Sequence, residues 1–197
     1  YLGVAFLAGF AEFSVRTGMV VPGDAAATVA KIAADQTLYG LAGIADLLVL
    51  LLDAFLGLAF WVLLKPVNRH LALLALILNL LRLPWMGANV AFHFGVLLLV
   101  NGGLPSFSPE QVNDLAQLFL NLHAYSYTAN GILFGSWCFV IGLLFFRSGF
   151  MPKFLGIAMM LALAGYWIDL GVVFLAPDLE AAVSPVAVMP AALAEIA

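Results

Sequence analysis

Ionisable side chains interrupt otherwise apolar stretches of this chain, and they are the residues best suited to do chemistry. Asp46 and Asp53 lie seven residues apart in one stretch, a spacing that puts both carboxylates on one face of a helix. Arg82 lies in the next stretch. Charge inside a membrane is costly and by default indicates a functional site, so each of these groups requires a partner.

The rise of a helix predicts one such partnership. Counted from the turn at 65–70 at about 1.5 Å per residue, Asp53 and Arg82 both lie roughly 16 Å deep. Their helix faces must look into a bundle, because lipid cannot solvate them. We therefore predict an ion pair between Asp53 and Arg82.

A second polar group is expected towards the outer leaflet. By the same counting, three acids and two histidines reach this level, and Asn89 shares a narrow arc of its helix with His93. The predicted lining of this polar cavity is Glu12, Asp46, Asn89, His93, His123 and Asp169. Three uses remain open, namely a structural network, a cavity for water or a small solute, and ligation of haem or a metal by the two histidines.

Small residues predict where helices pack closely. Gly131 and Gly135 form a GxxxG pair, and Gly142 lies on the same stripe. Such a stripe permits backbone contact with another helix. We favour packing within the chain over dimerisation.

Signatures of catalysis are missing from the sequence. There is no HExxH, GxSxG, Walker or CxxC motif, and no two histidines stand four residues apart. The single Cys138 cannot form a disulfide within the chain. The net charge of −4 leaves no basic footprint for nucleic acid. We expect neither enzymatic activity nor a resident cofactor.

The elements that carry these residues are predicted to be transmembrane helices. Hydrophobic residues make up 65% of the 197 positions and charged residues 9%, whereas soluble domains are about half apolar and a quarter charged. Apolar runs compared with the ~20 residues of a crossing predict an all-α, polytopic transmembrane helix bundle with five crossings and the start of a sixth. The predicted crossings of this single domain, 1–197, are 1–15, 38–64, 71–100, 125–146 and 154–175, with the sixth starting at 190–197.

Two further helical segments are predicted outside these crossings. The Ala-rich stretch 24–37 is predicted to be a surface helix, and 109–124 an outer extension of the helix that crosses at 125–146. Ser108 and Pro109 are the cap and first residue typical of a helix start.

Charge in the connections predicts the orientation. The turns 65–70 and 147–153 contain no acid, whereas the connections on the opposite side are mostly acidic. By the positive-inside rule both basic turns are cytoplasmic, and so is the N-terminus. The chain opens at Tyr1 inside one apolar run and stops at Ala197 as another begins, so we expect both ends to be truncated.

Five motifs, in this order, resemble one family. They are VVPGDAAAT at 20–28, LLKPVNR at 63–69, FSPEQ at 107–111, NLHAY at 121–125 and FRSGFMPKFLG at 146–156. Together they are similar to the bacterial domain-of-unknown-function family 4386, over nearly the whole chain. The resemblance implies a six-helix inner-membrane protein without an assigned activity, and it transfers no catalytic residue.

Three functions follow as hypotheses. The first is an accessory or structural subunit that packs laterally in a larger complex of the bacterial inner membrane, with lipid and other membrane subunits as partners. The second is a small-solute or proton pathway lined by Asp46, Asp53, Arg82, His93 and Asp169. The third is a membrane protein with haem or a metal ligated by His93 and His123.

Overall fold

The prediction of an all-α protein is confirmed. The computed structural model describes the backbone of residues 2–196 and the side chains of residues 2–189, and this part of the chain contains no strand. The elements are α1 (Leu2–Gly9), a π-helix (Phe10–Arg16), α2 (Thr17–Met19), α3 (Ala25–Ala34), α4 (Gln36–Leu64), α5 (Arg69–Val100), α6 (Pro109–Ser148), α7 (Lys153–Leu175), a 3-10 helix (Pro177–Leu179) and α8 (Glu180–Ile196).

Within the described residues, four helices are long and apolar enough to cross a membrane. They are α4, α5, α6 and α7, with 29, 32, 40 and 23 residues, and a crossing requires about 20. Apolar side chains such as Leu51, Phe55 and Leu81 are more than half exposed along them. Exposed apolar surface on this scale is stable against lipid rather than water. The chain is therefore a multi-pass membrane protein.

Two helices run further than the apolar runs alone predict. The N-terminal helical segment continues to Met19, where the sequence predicts an end near residue 15. The extension predicted at 109–124 and the crossing predicted at 125–146 form one continuous helix, α6, since no glycine or proline intervenes before Gly131.

The last helix begins earlier than the sequence predicts. α8 starts at Glu180, whereas the sixth crossing is predicted to start at 190. Pro185 and Pro190 both lie within α8. The side chains of the predicted segment 190–197 lie outside the described residues, so only its backbone as far as Ile196 is compared.

The start of α6 is held by a reciprocal cap, as Ser108 predicts. The Gln111 N–H donates to Ser108 Oγ at 3.3 Å, and the Ser108 N–H donates to Gln111 Oε1 at 2.8 Å. This capping box satisfies two backbone donors at a helix end that would otherwise lack partners. It fixes where α6 begins.

The chain forms two compact units, each with its own core. Unit 1 comprises Tyr1–Leu52 and Met86–Ser126, and unit 2 comprises Asp53–Trp85 and Tyr127–Ala197. The core of unit 1 includes Val15, Ile32, Tyr39, Val96 and Leu120. The core of unit 2 includes Leu64, Trp137, Ile141, Leu144 and Met159.

In unit 2, glycines bring α6 and α7 into backbone contact. A Cβ built at Gly142 would lie 2.6 Å from the carbonyl oxygen of Gly156. The other two glycines of the predicted stripe, Gly131 and Gly135, face Tyr166 of α7, and Gly135 also faces the Leu163 backbone at 3.3 Å. The stripe therefore packs within the chain.

Gly142→Ala is expected to destabilise the protein by about 1–3 kcal/mol, because the new methyl group has no space between the two backbones. Gly171→Ala on α7 is the matched control. No atom lies within 4 Å of a Cβ built there, and alanine favours a helix over glycine by up to about 1 kcal/mol. Thermal unfolding in detergent micelles measures both variants. Equal unfolding temperatures for the two would contradict this packing.

Candidate functional site

A π-helix shapes the first polar site, which lies in unit 1. Over Phe10–Arg16 the N-terminal helix is wound more widely, and the Thr17 N–H donates to the carbonyl of Glu12, five residues back. Thr17 Oγ1 donates to the same carbonyl at 3.0 Å. Such segments are frequent at functional sites, and this one carries both Glu12 and Arg16.

Arg16 joins two carboxylates of different exposure. Its Nη1 donates to Glu12 Oε2 at 3.2 Å, and its Nη2 donates to the carboxylate of Asp46 on α4. The side chain of Arg16 is 10% exposed, that of Asp46 18% and that of Glu12 55%. The charge of Arg16, which a membrane cannot solvate, is thus paired inside unit 1. The Glu12 carboxylate, at one end of this pairing, reaches the surface of the unit.

Further polar side chains, which carry no formal charge, lie in the same unit as this ion pair. Tyr39 shares the core of unit 1 with Val15 and Ala45, the chain neighbours of Arg16 and Asp46, and His93 and His123 are buried in the same unit. We refer to the whole group as the Arg16 cluster, and its members are Glu12, Arg16, Tyr39, Asp46, Asn89, His93 and His123.

Tyr39 and His93 are packed face to face. Their ring centroids lie 4.0 Å apart with an interplanar angle of 11°. His93 Nε2 lies 2.8 Å from the backbone carbonyl of Tyr39. A carbonyl oxygen only accepts hydrogen bonds, so Nε2 carries the proton and Nδ1 of the neutral ring has a free lone pair. Neither His93 Nδ1 nor Tyr39 Oη has a hydrogen-bond partner among the described residues.

His123 of α6 completes the cluster next to His93. The two imidazole centroids lie 6.0 Å apart. His123 Nδ1 is 3.2 Å from the backbone carbonyl of Asn89, which it reaches as a donor. The Asn89 side chain is fully buried, and neither of its amide atoms is hydrogen-bonded within the described part of the chain.

The cluster is closely packed. A Cβ built at Gly43 would lie 2.7 Å from His93 Cδ2 and 2.7 Å from Phe94 Cζ. Gly43 therefore leaves just enough space for the His93 ring to lie flat against Tyr39.

The cluster provides at most two histidine ligands, His93 and His123, for a metal or haem. In residues 2–189, no group of three or more His, Cys, Asp or Glu side chains is placed to hold a metal ion. Each ring already donates one N–H to a backbone carbonyl, an arrangement found in metal ligands and in proton acceptors. Zinc sites require three or four protein ligands.

The second polar site, in unit 2, is the ion pair between Asp53 and Arg82. Arg82 Nη2 donates to the Asp53 carboxylate, and both side chains are at most 10% exposed. The Arg82 guanidinium carbon lies 4.3 Å from the ring centroid of Phe134 and 5.9 Å from that of Trp137. One cation and one carboxylate, covered by two aromatic rings, form a neutral and enclosed contact between α4 and α5.

The predicted cavity residues do not all belong to one unit. Glu12, Asp46, Asn89, His93 and His123 are in unit 1, whereas Asp169 is half-buried on α7 in unit 2. Sequence reasoning did not include Arg16, because the apolar run ends at Val15. The signal was present in the spacing of Glu12 and Arg16, since side chains four residues apart in a helix are neighbours.

Arg82→Leu is expected to destabilise the protein by about 3–5 kcal/mol, because it leaves the Asp53 carboxylate buried without a partner. The double variant Asp53→Leu/Arg82→Leu should recover most of that loss. Arg147→Leu, at an exposed position, serves as the control and should change stability by less than about 0.5 kcal/mol. Chemical unfolding in mixed micelles gives the free energy of unfolding of the three variants. Additive losses in the double variant would show that the two side chains are not coupled.

Comparison with known proteins places the whole chain in one family. A family model described as "Domain of unknown function (DUF4386)" matches residues 1–197. The chain is similar to a protein of Archaeoglobus fulgidus named "Uncharacterized protein", with 29% identity over 133 residues, 68% of this chain and 66% of that protein, slightly under two thirds of its length. No solved structure matches. The chain belongs to the DUF4386 family, as its five sequence motifs indicate.

Proposed function

We propose that this multi-pass membrane protein conducts protons, and that the Arg16 cluster is its proton-binding site. The observation that carries the proposal is the free lone pair of His93 Nδ1, which is buried in the same unit as Tyr39 and the Arg16–Asp46 ion pair. A buried polar group without a hydrogen bond costs about 1–3 kcal/mol, and a role in proton binding accounts for that cost at His93 Nδ1.

The packing of the cluster favours a proton over a larger solute. The Tyr39 and His93 rings are in van der Waals contact, and Gly43 fits closely against His93. A solute would require a cavity between these groups, whereas a proton requires only donors and acceptors within reach of one another. Carboxylate, phenol and imidazole groups all bind and release protons.

The exposed fractions of three side chains indicate the order in which a proton passes between them. Glu12 is the exposed carboxylate, Asp46 is the half-buried one, and His93 is buried. A proton taken up at Glu12 passes to Asp46 on the other side of Arg16, and then to His93 Nδ1. The His93 imidazolium formed in this way gives its Nε2 proton to a water molecule and becomes a neutral ring again, so protons balance and no redox partner is needed.

The topology proposed for this function is the one that the charges predict. The N-terminus and the turns at 65–70 and 147–153 are cytoplasmic, by the positive-inside rule. The chain crosses the cytoplasmic membrane of a bacterium five times, and α8 begins a sixth crossing. The helical segment from Leu2 to Met19 serves as the first crossing.

A second candidate function, an accessory subunit of a larger membrane complex, is favoured by an apolar groove on α7. Its lining consists of Trp167, Leu170, Gly171, Phe174 and Leu175. Gly171 leaves the groove open at its floor. A ridge of side chains on a transmembrane helix of another subunit fits such a groove.

Asp46→Asn is expected to abolish proton flux, because an amide cannot take the carboxylate's place in the transfer. The protein is reconstituted into phosphatidylcholine vesicles that contain a pH-sensitive dye, and a potassium gradient with valinomycin supplies the driving potential. Wild-type vesicles should change internal pH faster than protein-free vesicles, and Asp46→Asn vesicles should match the protein-free rate.

Two controls separate this effect from changes outside the cluster. Asp114→Asn makes the same chemical change at an exposed acid of unit 1 and should keep the wild-type flux. Gly43→Ala should slow the flux by displacing His93, whereas Gly40→Ala, whose new methyl group would lie 3.6 Å from Leu97, should not. Wild-type flux at the protein-free rate, or full flux in the Asp46→Asn variant, would overturn the proposal.

The accessory role predicts a native particle much heavier than the 21.0 kDa chain. After mild extraction from its own membrane, the protein should co-purify with other membrane subunits, and Gly171→Leu should separate it from them by filling the groove. Native mass measurement gives the composition. A particle that contains only this chain, in wild type and variant alike, would contradict a role as a subunit.

A further inference from the structure

Two exposed basic turns belong to unit 2, and their charges have no carboxylate partner among the described residues. Of the seven Lys and Arg residues in the chain, Arg16 and Arg82 are bonded to carboxylates, and Lys31 donates to the Gly18 carbonyl. The other four are exposed, and none forms an ion pair within the described part of the chain. They are Lys65, Arg69, Arg147 and Lys153.

Both turns rest on the same core. Val67 and Leu71, from the first turn and the start of α5, pack against the core cluster of unit 2. Met151 and Leu155, from the second turn and the start of α7, pack against the same cluster. The four cations therefore lie on two turns that pack against one core, and we refer to them as the basic end.

Aromatic side chains contact the two lysines of the basic end. Lys65 Nζ lies 4.8 Å from the ring centroid of Trp61, and Lys153 Nζ lies 5.6 Å from that of Phe146. Phe150 and Phe154 are 53% and 68% exposed beside them. Lysine and arginine together with tryptophan, at the ends of membrane-spanning helices, are typical of the headgroup region of a bilayer.

The helix starts at the basic end differ in capping. α5 and α7 both begin there, and α4 and α6 both end there, so the positive and negative ends of the helix dipoles offset one another. The start of α5 is capped by Asn68 Oδ1, which accepts from the Leu71 N–H at 3.0 Å. The start of α7 has no side-chain cap, and its first N–H groups are suited to bind a phosphate oxygen.

We propose that the basic end binds the headgroup phosphates of anionic phospholipids. Four cations without a carboxylate partner and an uncapped helix start match the charge of a phosphate. The exposed phenylalanines match the adjoining acyl chains, which a free phosphate ion lacks. The site is independent of the Arg16 cluster and does not rest on proton conduction.

Quenching of tryptophan fluorescence tests this binding, since Trp61 lies beneath Lys65. The full protein is reconstituted into phosphatidylcholine vesicles, and dibrominated phosphatidylglycerol or dibrominated phosphatidylcholine is then titrated as the quenching lipid. Wild type should prefer phosphatidylglycerol. The pair variants Lys65→Gln/Arg69→Gln and Arg147→Gln/Lys153→Gln should each lose that preference by about fivefold for every cation removed.

Lys31→Gln is the matched control, because it removes a lysine from unit 1, and it should retain the wild-type preference. Unchanged quenching by brominated phosphatidylcholine shows that the pair variants are folded. Three results would overturn the proposal: equal quenching of wild type by both lipids, full preference in both pair variants, or an equal loss in Lys31→Gln. Displacement of brominated phosphatidylglycerol by added inorganic phosphate would also overturn it, since the site would then recognise a soluble anion.

Discussion

The inability of a membrane to solvate charge is the constraint on which the rest of this structure depends. Each of its two buried arginines is held by a carboxylate on another helix, Arg16 by Asp46 and Arg82 by Asp53. An unpaired ion in hydrocarbon costs several kcal/mol, so these two contacts determine which helix faces meet inside each unit. The apolar cores then fill the space around them.

The two arginines differ in the number and exposure of the carboxylates that hold them. Arg82 has a single buried carboxylate and a cover of aromatic rings, so the contact is neutral and enclosed. Arg16 has two carboxylates of unequal exposure, and one of them reaches the surface of the unit. The proposed proton transfer requires such an exposed carboxylate, and the Arg82 pair lacks one.

The position of a polar residue along its helix can be predicted from the sequence. The side chains that it meets on other helices can be predicted only in part. The Asp53–Arg82 contact follows from equal counts of residues to one turn, which requires only regular helical rise. Asp169 has the same predicted depth as Asp46, yet it belongs to the other unit, because depth is a single coordinate and packing decides the others. Arg16 lies just beyond the predicted first crossing, 1–15, because the apolar run ends at Val15, and hydropathy carries no information about a π-helix.

The wide winding of Phe10–Arg16 also has a geometric consequence for the residues that precede it. A π-helical segment accommodates one residue more than an α-helix does over the same number of turns. If it rewound as α-helix, the chain before it would rotate by about 100° and shift by about 1.5 Å along the axis. Leu2–Gly9 would then present different side chains to its surroundings, while Arg16 stayed tied to Asp46. The π-helix thus determines which side chains of Leu2–Gly9 lie on the same side of the helix as Arg16.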